Sequence, residues 1–380
     1  MIYKINDNII SALGFSSIEN FEAVCAEKSG LQIIKNLFDL EDSFCVSKIN
    51  SDKIDAEFDL IRKNNYNYTK LEKMSILSVF KALQNTDIQP YNNDVLFILS
   101  TTKGNIDILE KPENFEKDRI FLWKTAQIIA GFFENKNNPI VVSNACISGI
   151  ASQLTAFRNL KLRRYRYAIV IGVDILSKFT VSGFNSFKAL SSEICKPFDI
   201  NRCGLNIGEA AATIIYGFTE NQSDIPNNSI ILENISICND ANHISGPSRT
   251  AEGLNLAIYN VLDNINKNSI SFINVHGTAT PYNDNMESIA IYRNNLNNIP
   301  INSLKAYYGH TLGAAGILET IISSCALQNS TILVSKGFEK LGVDYKVNVN
   351  TKAKKSEKSR FLKLISGFGG TNASAIFRKL

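Results

Sequence analysis

Three residues of this sequence have side chains that could together transfer an acyl group: Cys146, His276 and His310. A cysteine thiolate attacks thioesters readily, and a neutral imidazole can donate a hydrogen bond to an enolate or carboxylate oxygen. Cys146 lies in IVVSNACISG, His276 in NVHGTATPYND and His310 in AYYGHTLGAAG. The chain has only 3 histidines, and these two each stand close to glycine and threonine at the end of a predicted element. That setting favours a functional pair over two structural histidines.

Cys146 falls where a short apolar strand should give way to a helix. Residues 147–160 repeat apolar side chains at helical spacing, so we expect the helix to run from Cys146 to Lys161. The start of a helix carries partial positive charge and free N–H groups, which favour a thiolate and can stabilise an oxyanion. A buried core position is the more common environment of a cysteine considered by residue type alone. The position at a helix start, with two histidines elsewhere, favours the nucleophile.

Apolar, β-rich runs alternate with helical patterns along the whole chain, which predicts a layered α/β fold. The polar segment Thr219–Asn228 separates two parts that each contain strand–helix–strand units, and we predict domains at residues 1–225 and 226–380. The predicted strands are Val95–Ser100, Ile140–Ser143, Tyr167–Val173, Ala211–Tyr216, Ser271–Val275 and Phe361–Ile365. The predicted helices are Leu71–Leu83, Cys146–Lys161, Leu254–Ile265 and Thr311–Gln328.

The composition is that of an ordinary globular protein: 44% of the 380 residues are hydrophobic and 20% are charged. The net charge of +4 is small and the basic residues form no single stripe, which argues against a nucleic-acid partner. A local basic patch for an acidic partner remains compatible with it. The 7 cysteines show no CxxC spacing, and we expect them to be reduced in a cytoplasm. We expect neither a signal peptide nor a membrane span.

Five segments occur in a fixed order and carry a family resemblance. KPFDINRCGLNIGEAAA follows NACISG, and VHGTATPYND, LKAYYGHTLGAAG and SGFGGTN come after it. Together they resemble the beta-ketoacyl synthases of the thiolase superfamily, from about Leu71 to the C-terminus. The resemblance implies a five-layered αβαβα fold of two similar halves, and a dimer. It implies no metal and no bound cofactor, since the phosphopantetheine arm arrives on an acyl carrier protein.

The resemblance also implies the roles of the central residues. Cys146 would accept an acyl chain from the carrier protein as a thioester. A malonyl thioester would then lose carbon dioxide and attack that acyl group as an enolate, whose oxygen His276 and His310 would hold. The backbone N–H groups of Cys146 and Phe368 would form a second oxyanion hole, and Phe368 would gate the acyl pocket. Lys305 and Glu319 match a family pair that supports the loop of His310.

Other positions match the family less directly. Thr278 and Thr280 match threonines that contact the phosphopantetheine arm, and Ser245 is a further possible neighbour of that arm. For Asp284, Glu287 and His243 we expect structural roles. The residues that could dock the carrier protein are basic: Lys73, Lys70, Arg163, Arg164 and Arg166.

The sequence departs from the family pattern in three places. Asn283 and Ala210 stand where the family has glycine, and the segment Ser100–Cys146 is compact. That segment shapes the dimer surface and the bottom of the acyl pocket in the family, so chain length and pairing stay open. Short chains of this kind resemble the synthases of aryl polyene and flexirubin-type pigment clusters. We expect pairing at the strand Ile140–Ser143, either with a second copy or with a cysteine-less chain-length factor.

Three other interpretations are weaker. The chain could itself be a non-catalytic partner subunit, but its cysteine and two histidines form a complete set. A papain-like protease would carry a CGSCW signature, which the sequence lacks. A dinucleotide-binding loop would need GxGxxG, and Gly309, Gly313 and Gly316 do not have that spacing.

Overall fold

The computed structural model describes residues 1–110 and 115–380 of the chain. Its strands are β1 (Ile2–Ile10), β2 (Leu31–Lys35), β3 (Ser43–Ser47), β4 (Val95–Ser100), β5 (Ile140–Val142), β6 (Tyr167–Asp174), β7 (Ile207–Gly208), β8 (Ala210–Phe218), β9 (Ile230–Asn239), β10 (Ile270–Asn274), β11 (Pro300–Asn302), β12 (Thr331–Ile332), β13 (Asn348–Val349), β14 (Lys354–Lys355), β15 (Arg360–Gly367) and β16 (Thr371–Lys379). Its α-helices are α1 (Ser17–Cys25), α2 (Ser51–Asp59), α3 (Lys70–Leu83), α4 (Leu122–Phe132), α5 (Ser148–Lys161), α6 (Lys178–Ser186), α7 (Glu252–Val261), α8 (Pro281–Arg293), α9 (Lys305–Tyr308) and α10 (Ala315–Gln328).

The main sheet has the strand order β13-β11-β10-β15-β16-β9-β1-β8-β6-β4-β5. On one side, β8 is antiparallel to both β1 and β6, and β4 and β5 continue in parallel with β6. On the other side, β16 is antiparallel to both β9 and β15, and β10 and β11 continue in parallel with β15. The same pattern thus occurs twice, and β1 meets β9 at the pair Tyr3 and Ile231. The expectation of two similar halves is confirmed.

The helices form three layers, because alternate side chains of each strand contact helices on opposite faces of the sheet. Leu96 and Ile98 of β4 face a central cluster that contains α5 and α10. Phe97 and Leu99 of the same strand face α3 and α4 on the outside. Helices α7 and α8 cover the outer face of the other half. The order helix, sheet, helix, sheet, helix is the five-layered αβαβα fold expected from the resemblance.

The predicted strands and helices all correspond to observed elements, although several helix ends are shifted. Helix α5 begins at Ser148, so Cys146 precedes it by two residues. Helix α10 begins at Ala315 rather than Thr311, because Leu312–Ala314 forms a separate 3-10 turn. Helix α7 ends at Val261, before the predicted Ile265.

Helices α5 and α10 cross in the central layer at two glycines. A Cβ atom on Gly149 would lie 2.8 Å from the Cα of Gly316, so the two backbones are in direct contact. The start of α5, with Cys146 just before it, is therefore held against the start of α10, with His310 just before that. This crossing brings together two residues that are 164 positions apart.

Strand β5 is the outermost strand on its side of the sheet, and its three residues are partly buried. This agrees with the expected edge at Ile140–Ser143. Four residues of the compact segment Ser100–Cys146, numbers 111–114, lie outside the described residues. The polar segment Thr219–Asn228 lies between β8 and β9, and the domain boundary at residue 225 stays a prediction. Among the described residues, no helix has the length and apolar character to cross a membrane.

Candidate active site

Cys146 sits on a tight turn between β5 and α5. Ala145, the residue before it, has φ of +44°, in the left-handed region that non-glycine residues rarely adopt. The Ser148 hydroxyl stabilises this turn, because it accepts from the Asn144 N–H at 2.8 Å and donates to the Ala145 carbonyl at 2.6 Å. Strained conformations of this kind persist where the surrounding structure imposes them, often at functional sites. The turn presents the Cys146 side chain to a cavity.

His276 follows strand β10 and is held by a buried carboxylate on α8. The N–H groups of His276 and Gly277 donate to the two oxygens of Glu287, each at 2.7 Å. A neighbouring acid, Asp284, accepts from the Phe198 N–H at 2.7 Å. Both acids therefore bind backbone and fix loops. Burial raises the pKa of Asp284 to about 6 and that of Glu287 to about 7.

His310 is held by its main chain against the segment that precedes β8. Its N–H donates to the Asn206 carbonyl at 2.7 Å, and its carbonyl accepts from the Gly208 N–H at 3.1 Å. Gly309 has φ of +67°, and a Cβ atom there would lie 2.8 Å from the Ile207 carbonyl carbon. Only glycine satisfies both the conformation and the space. The GLNIGE and YYGH segments of the sequence are thus in direct backbone contact with each other.

The structure brings the three predicted residues together. One atom of each, the Cys146 Sγ and a ring nitrogen of His276 and His310, lie within 4.8 Å of one another. The two imidazole rings are nearly perpendicular, with centroids 5.0 Å apart. The His310 Nδ1 accepts from the Leu312 N–H at 3.2 Å, so a neutral His310 carries its proton on Nε2. That Nε2 has no partner among the described residues and is free to donate to a ligand.

Burial and nearby lysines decide the protonation of this site. Burial, reinforced by the Lys305 charge, lowers the pKa of His276 and of His310 well below 6.5, so both rings are neutral. Burial also raises the pKa of the Cys146 thiol, although Lys103 and Lys305 oppose it. Burial thus acts against the thiolate that the two lysines favour, and the expected contribution of the helix start to that thiolate stays a prediction. The surrounding positive charge also opposes a metal cation at the three donor atoms.

A buried cluster of charge lies next to the histidines. Lys305 forms an ion pair with Glu319, as the resemblance implies, and the Lys363 Nζ lies 2.6 Å from the other carboxylate oxygen of Glu319. All three side chains are buried. Both lysines together lower the pKa of Glu319 although burial opposes them. Two ammonium groups for one carboxylate leave net positive charge beside the imidazoles.

Lys363 was not predicted from the sequence. It stands in FLKLISG, and the alternation along β15 turns its side chain to the central layer, like those of Phe361 and Ile365. A lysine at an inward position of an apolar strand is the signal that could have identified it. Lysines are almost never buried without a partner, so its partner had to be an internal acid.

A cavity of about 540 Å³ connects the three residues with the surface. Thr278 and Thr280, whose hydroxyl oxygens are 2.8 Å apart, line it, and so does Ser245. Phe368 also lines it, stacks on Phe184 at 5.7 Å between ring centroids, and is 38% exposed. The Phe368 N–H acts on the Cys146 thiol by a hydrogen bond that lowers the thiol pKa against the effect of burial. Each predicted pocket residue is thus in the cavity with Cys146.

The residues predicted to dock the carrier protein are not brought together. Lys70 and Lys73 lie in the first turn of α3, where their ammonium groups contact Glu209 at 2.5 Å and Asp55 at 2.7 Å. The arginines follow the far end of α5, a 14-residue helix that is about 20 Å long and begins beside Cys146. The docking role of these five residues stays a prediction, and three of them lie at the end of α5 away from Cys146: Arg163, Arg164 and Arg166.

Comparison with known proteins agrees with this architecture. The family model "Beta-ketoacyl synthase, N-terminal domain" matches residues 19–216, and "Beta-ketoacyl synthase, C-terminal domain" matches residues 230–339. One chain of the ketosynthase ApeO in complex with its chain length factor ApeC, from Xenorhabdus doucetiae, superposes with a TM-score of 0.87 at 22% identity, covering 100% of this chain and 98% of that one. A beta-ketoacyl synthase from Burkholderia phymatum gives 0.84 at 21% identity, covering 100% and 99%. The fold is thiolase-like.

Sequence relatives specify the family within that fold. A putative mitochondrial 3-oxoacyl-[acyl-carrier-protein] synthase of Schizosaccharomyces pombe is 31% identical over 261 residues, which are 62% of this chain and 60% of that protein. The 3-oxoacyl-[acyl-carrier-protein] synthase 2 of Coxiella burnetii is 29% identical over 266 residues, 65% of this chain and 63% of that protein. The matched region thus spans about 60% of these relatives. The chain belongs to the beta-ketoacyl synthase family.

Proposed function

We propose that this protein is a beta-ketoacyl synthase that joins an acyl group on Cys146 to a malonyl unit delivered by an acyl carrier protein. The observation that carries the proposal is the convergence of the Cys146 Sγ and the nitrogens of His276 and His310 within 4.8 Å, at the inner end of a cavity. A nucleophile and two neutral donors are what thioester exchange and enolate formation require.

The first step loads Cys146. Its sulfur attacks the carbonyl of an acyl thioester, a new carbon–sulfur bond forms, and the bond to the carrier's sulfur breaks. The N–H groups of Cys146 and Phe368 stabilise the oxyanion of the tetrahedral intermediate. Because burial raises the pKa of the Cys146 thiol, its proton leaves as the attack proceeds and ends on the departing carrier thiol.

The second step makes the carbon nucleophile. A malonyl thioester enters the cavity, its carbon–carboxylate bond breaks, and carbon dioxide leaves. The electron pair moves into an enolate, whose oxygen accepts hydrogen bonds from His276 and His310. The low pKa of both histidines keeps their imidazoles neutral, and a neutral imidazole is so weak an acid that it donates a hydrogen bond to the enolate without giving up its proton. The net positive charge of Lys305, Lys363 and Glu319 favours the developing negative charge.

The third step forms the product. The enolate carbon attacks the acyl carbonyl on Cys146, a carbon–carbon bond forms, and the Cys146 sulfur leaves as a thiolate. That thiolate takes up a proton and restores the resting enzyme. The product is a beta-ketoacyl thioester on the carrier, two carbons longer than the acyl group that was loaded.

The pathway and the partner are parts of the same proposal. Matched relatives are named 3-oxoacyl-[acyl-carrier-protein] synthases, whereas solved structures of similar fold include ketosynthases with a chain length factor. We propose a cytoplasmic enzyme of a fatty-acid or aryl polyene-like polyketide pathway that pairs through the edge strand β5. The complete set of Cys146, His276 and His310 disfavours the alternative that the chain is itself the non-catalytic chain-length factor.

The proposal is tested by acyl loading. The purified chain is incubated with an acyl carrier protein that bears a short acyl thioester, and the modified residue is identified by mass spectrometry. We expect the acyl mass on Cys146 and none in Cys146→Ala. Cys203→Ala is the matched control, because Cys203 lines the same cavity and should not affect loading. Loading on Cys203, or persistent condensation in Cys146→Ala, would refute the assignment.

A further inference from the structure

Lys103 stands on the chain segment next to that of Cys146. Ser100, the last residue of β4, lies beside Val142 of β5 and Gly172 of β6 in the sheet. Lys103 is three residues after Ser100, and Cys146 is four residues after Val142. The two side chains therefore leave the carboxyl end of the sheet on adjacent parallel strands, where loops of this architecture meet. Lys103 is partly buried, and sequence reasoning did not single it out.

The loop of Lys103 is fastened to the turn of His310 by a buried carboxylate. Asp174, at the end of β6, accepts from the Thr102 N–H at 2.9 Å and from the Thr102 hydroxyl at 2.8 Å. It also accepts from the Gly313 N–H at 2.7 Å. Lys103 in turn donates from Nζ to the Thr102 hydroxyl oxygen at 2.9 Å. The hydrogen bond to the Thr102 hydroxyl thus restrains the position of the Lys103 ammonium group.

The charge of Lys103 has no acid in direct contact. Throughout residues 1–110 and 115–380, no carboxylate oxygen lies within 4.0 Å of its Nζ, whereas Lys305 and Lys363 both contact Glu319. The ammonium group reaches Asp174 through the Thr102 hydroxyl, and the Lys103 backbone N–H donates to Asp174 at 3.4 Å. A partly buried cation without a direct counter-ion stabilises negative charge that forms nearby.

We propose that Lys103 is a positioning residue whose ammonium charge favours the thiolate of Cys146 during acyl transfer. The inference rests on the proposed role of Cys146 as nucleophile. The charged groups around that sulfur include two lysines and one acid, with the two neutral imidazoles beside them: Lys103, Lys305, Asp174, His276 and His310. Burial raises the thiol pKa, Lys103 opposes this more strongly than Lys305 does, and Asp174 acts in the same direction as burial.

The test is the pH dependence of Cys146 alkylation in the full chain. The rate of iodoacetamide labelling at Cys146 is followed by mass spectrometry from about pH 6 to about pH 10, a range that spans the ordinary cysteine pKa. Removal of the positive charge in Lys103→Met should move the rate profile to higher pH and slow labelling near neutral pH roughly tenfold or more. Lys103→Arg should keep the profile of the unmodified protein. Lys178→Met is the matched control, since Lys178 is an exposed lysine of α6 outside the residues that line the cavity and should change nothing.

The outcomes separate the two proposals. Preferential labelling of another cysteine in the unmodified protein would overturn the function assigned to Cys146. Preferential labelling of Cys146 with the same profile in Lys103→Met would overturn only the role of Lys103. Circular dichroism and thermal unfolding check that each variant is folded, and Lys103→Gln, which keeps polarity, replaces Lys103→Met if that variant is not. A shift in Lys103→Gln that Lys103→Arg does not share would support the proposal.

Discussion

Replacement of Glu319 by glutamine should destabilise the protein strongly, because it leaves two buried ammonium groups without a carboxylate. Lys305 and Lys363 both contact Glu319, and all three side chains are buried. Loss of one partner from a buried ion pair typically costs about 3–5 kcal/mol. Lys363→Met should cost only about 1–2 kcal/mol. It leaves a balanced pair of Lys305 and Glu319, so the loss is limited to the contact of Lys363 with Glu319 and the hydrogen bond from its Nζ to the Leu364 carbonyl at 2.7 Å.

The decisive comparison is the double variant. Lys363→Met should destabilise the unmodified protein but stabilise Glu319→Gln, because in that background it removes an uncompensated charge. The measurement is urea unfolding followed by circular dichroism, with the midpoints compared under one set of conditions. If Lys363→Met were destabilising to the same extent in both backgrounds, the shared-carboxylate interpretation of this cluster would be wrong.

The stability of Glu319→Gln should also show a characteristic pH dependence. Burial lowers the pKa of Lys363 from 10.5 although Glu319 opposes it, and without that carboxylate the pKa should be lower still. A lysine whose pKa is lower in the folded state binds fewer protons there than in the unfolded chain, so stability rises with pH. The deficit of Glu319→Gln relative to the unmodified protein should therefore shrink as the pH approaches 10.5.

Three further predictions concern the two histidines, the buried acid Glu287 and the assembly of the protein. His276→Ala or His310→Ala should slow release of labelled carbon dioxide from a malonyl-carrier protein by about 100- to 1000-fold and affect acyl loading far less, and unchanged release would refute the enolate role. Burial raises the pKa of Glu287 from 4.5 to about 7, so the folded state binds the extra proton and stability should fall as pH rises across that window. The urea midpoint plotted against pH should have a smaller slope in Glu287→Gln than in the unmodified protein. An equal slope would show that Glu287 is not the source of the pH dependence. The chain expressed alone and weighed in solution should pair through the edge strand β5, with itself or with a co-expressed cysteine-less relative, and a fully active monomer would exclude both.

The elements around the site were predictable because each has a strong local pattern. The apolar run before Cys146 and the helical spacing after it identified β5 and α5 to within two residues. The left-handed turn at Ala145 was not predictable, because nothing about an alanine indicates positive φ. It is imposed by the Ser148 hydroxyl and by the contact of α5 with α10, which are tertiary effects.

Charged residues were harder to place than apolar ones. Lys363 and Lys103 resemble ordinary lysines in sequence, and only the topology shows that one faces α10 and that the other leaves the sheet beside Cys146. The arginine cluster shows the converse, because a basic run is visible in the sequence but its position relative to Cys146 is not. Periodicity tells which face a residue occupies, whereas long-range strand order decides which residues from different strands meet.

The active site is neutral where the chemistry occurs and positive around it. Cys146 rests as a buried thiol, and both imidazoles rest uncharged, so the three atoms that meet the substrate carry no formal charge before reaction. The lysines next to them exceed the acids in direct contact, so the surrounding field favours anions that appear later. In the proposed reaction, negative charge forms in acyl transfer, in decarboxylation and in condensation, each time within this field. In the proposed acyl-transfer step this arrangement stabilises charge only as it develops, so it would lower the barrier without binding the neutral acyl thioester more tightly. This is the physical reason to regard the cluster as part of the proposed catalytic site.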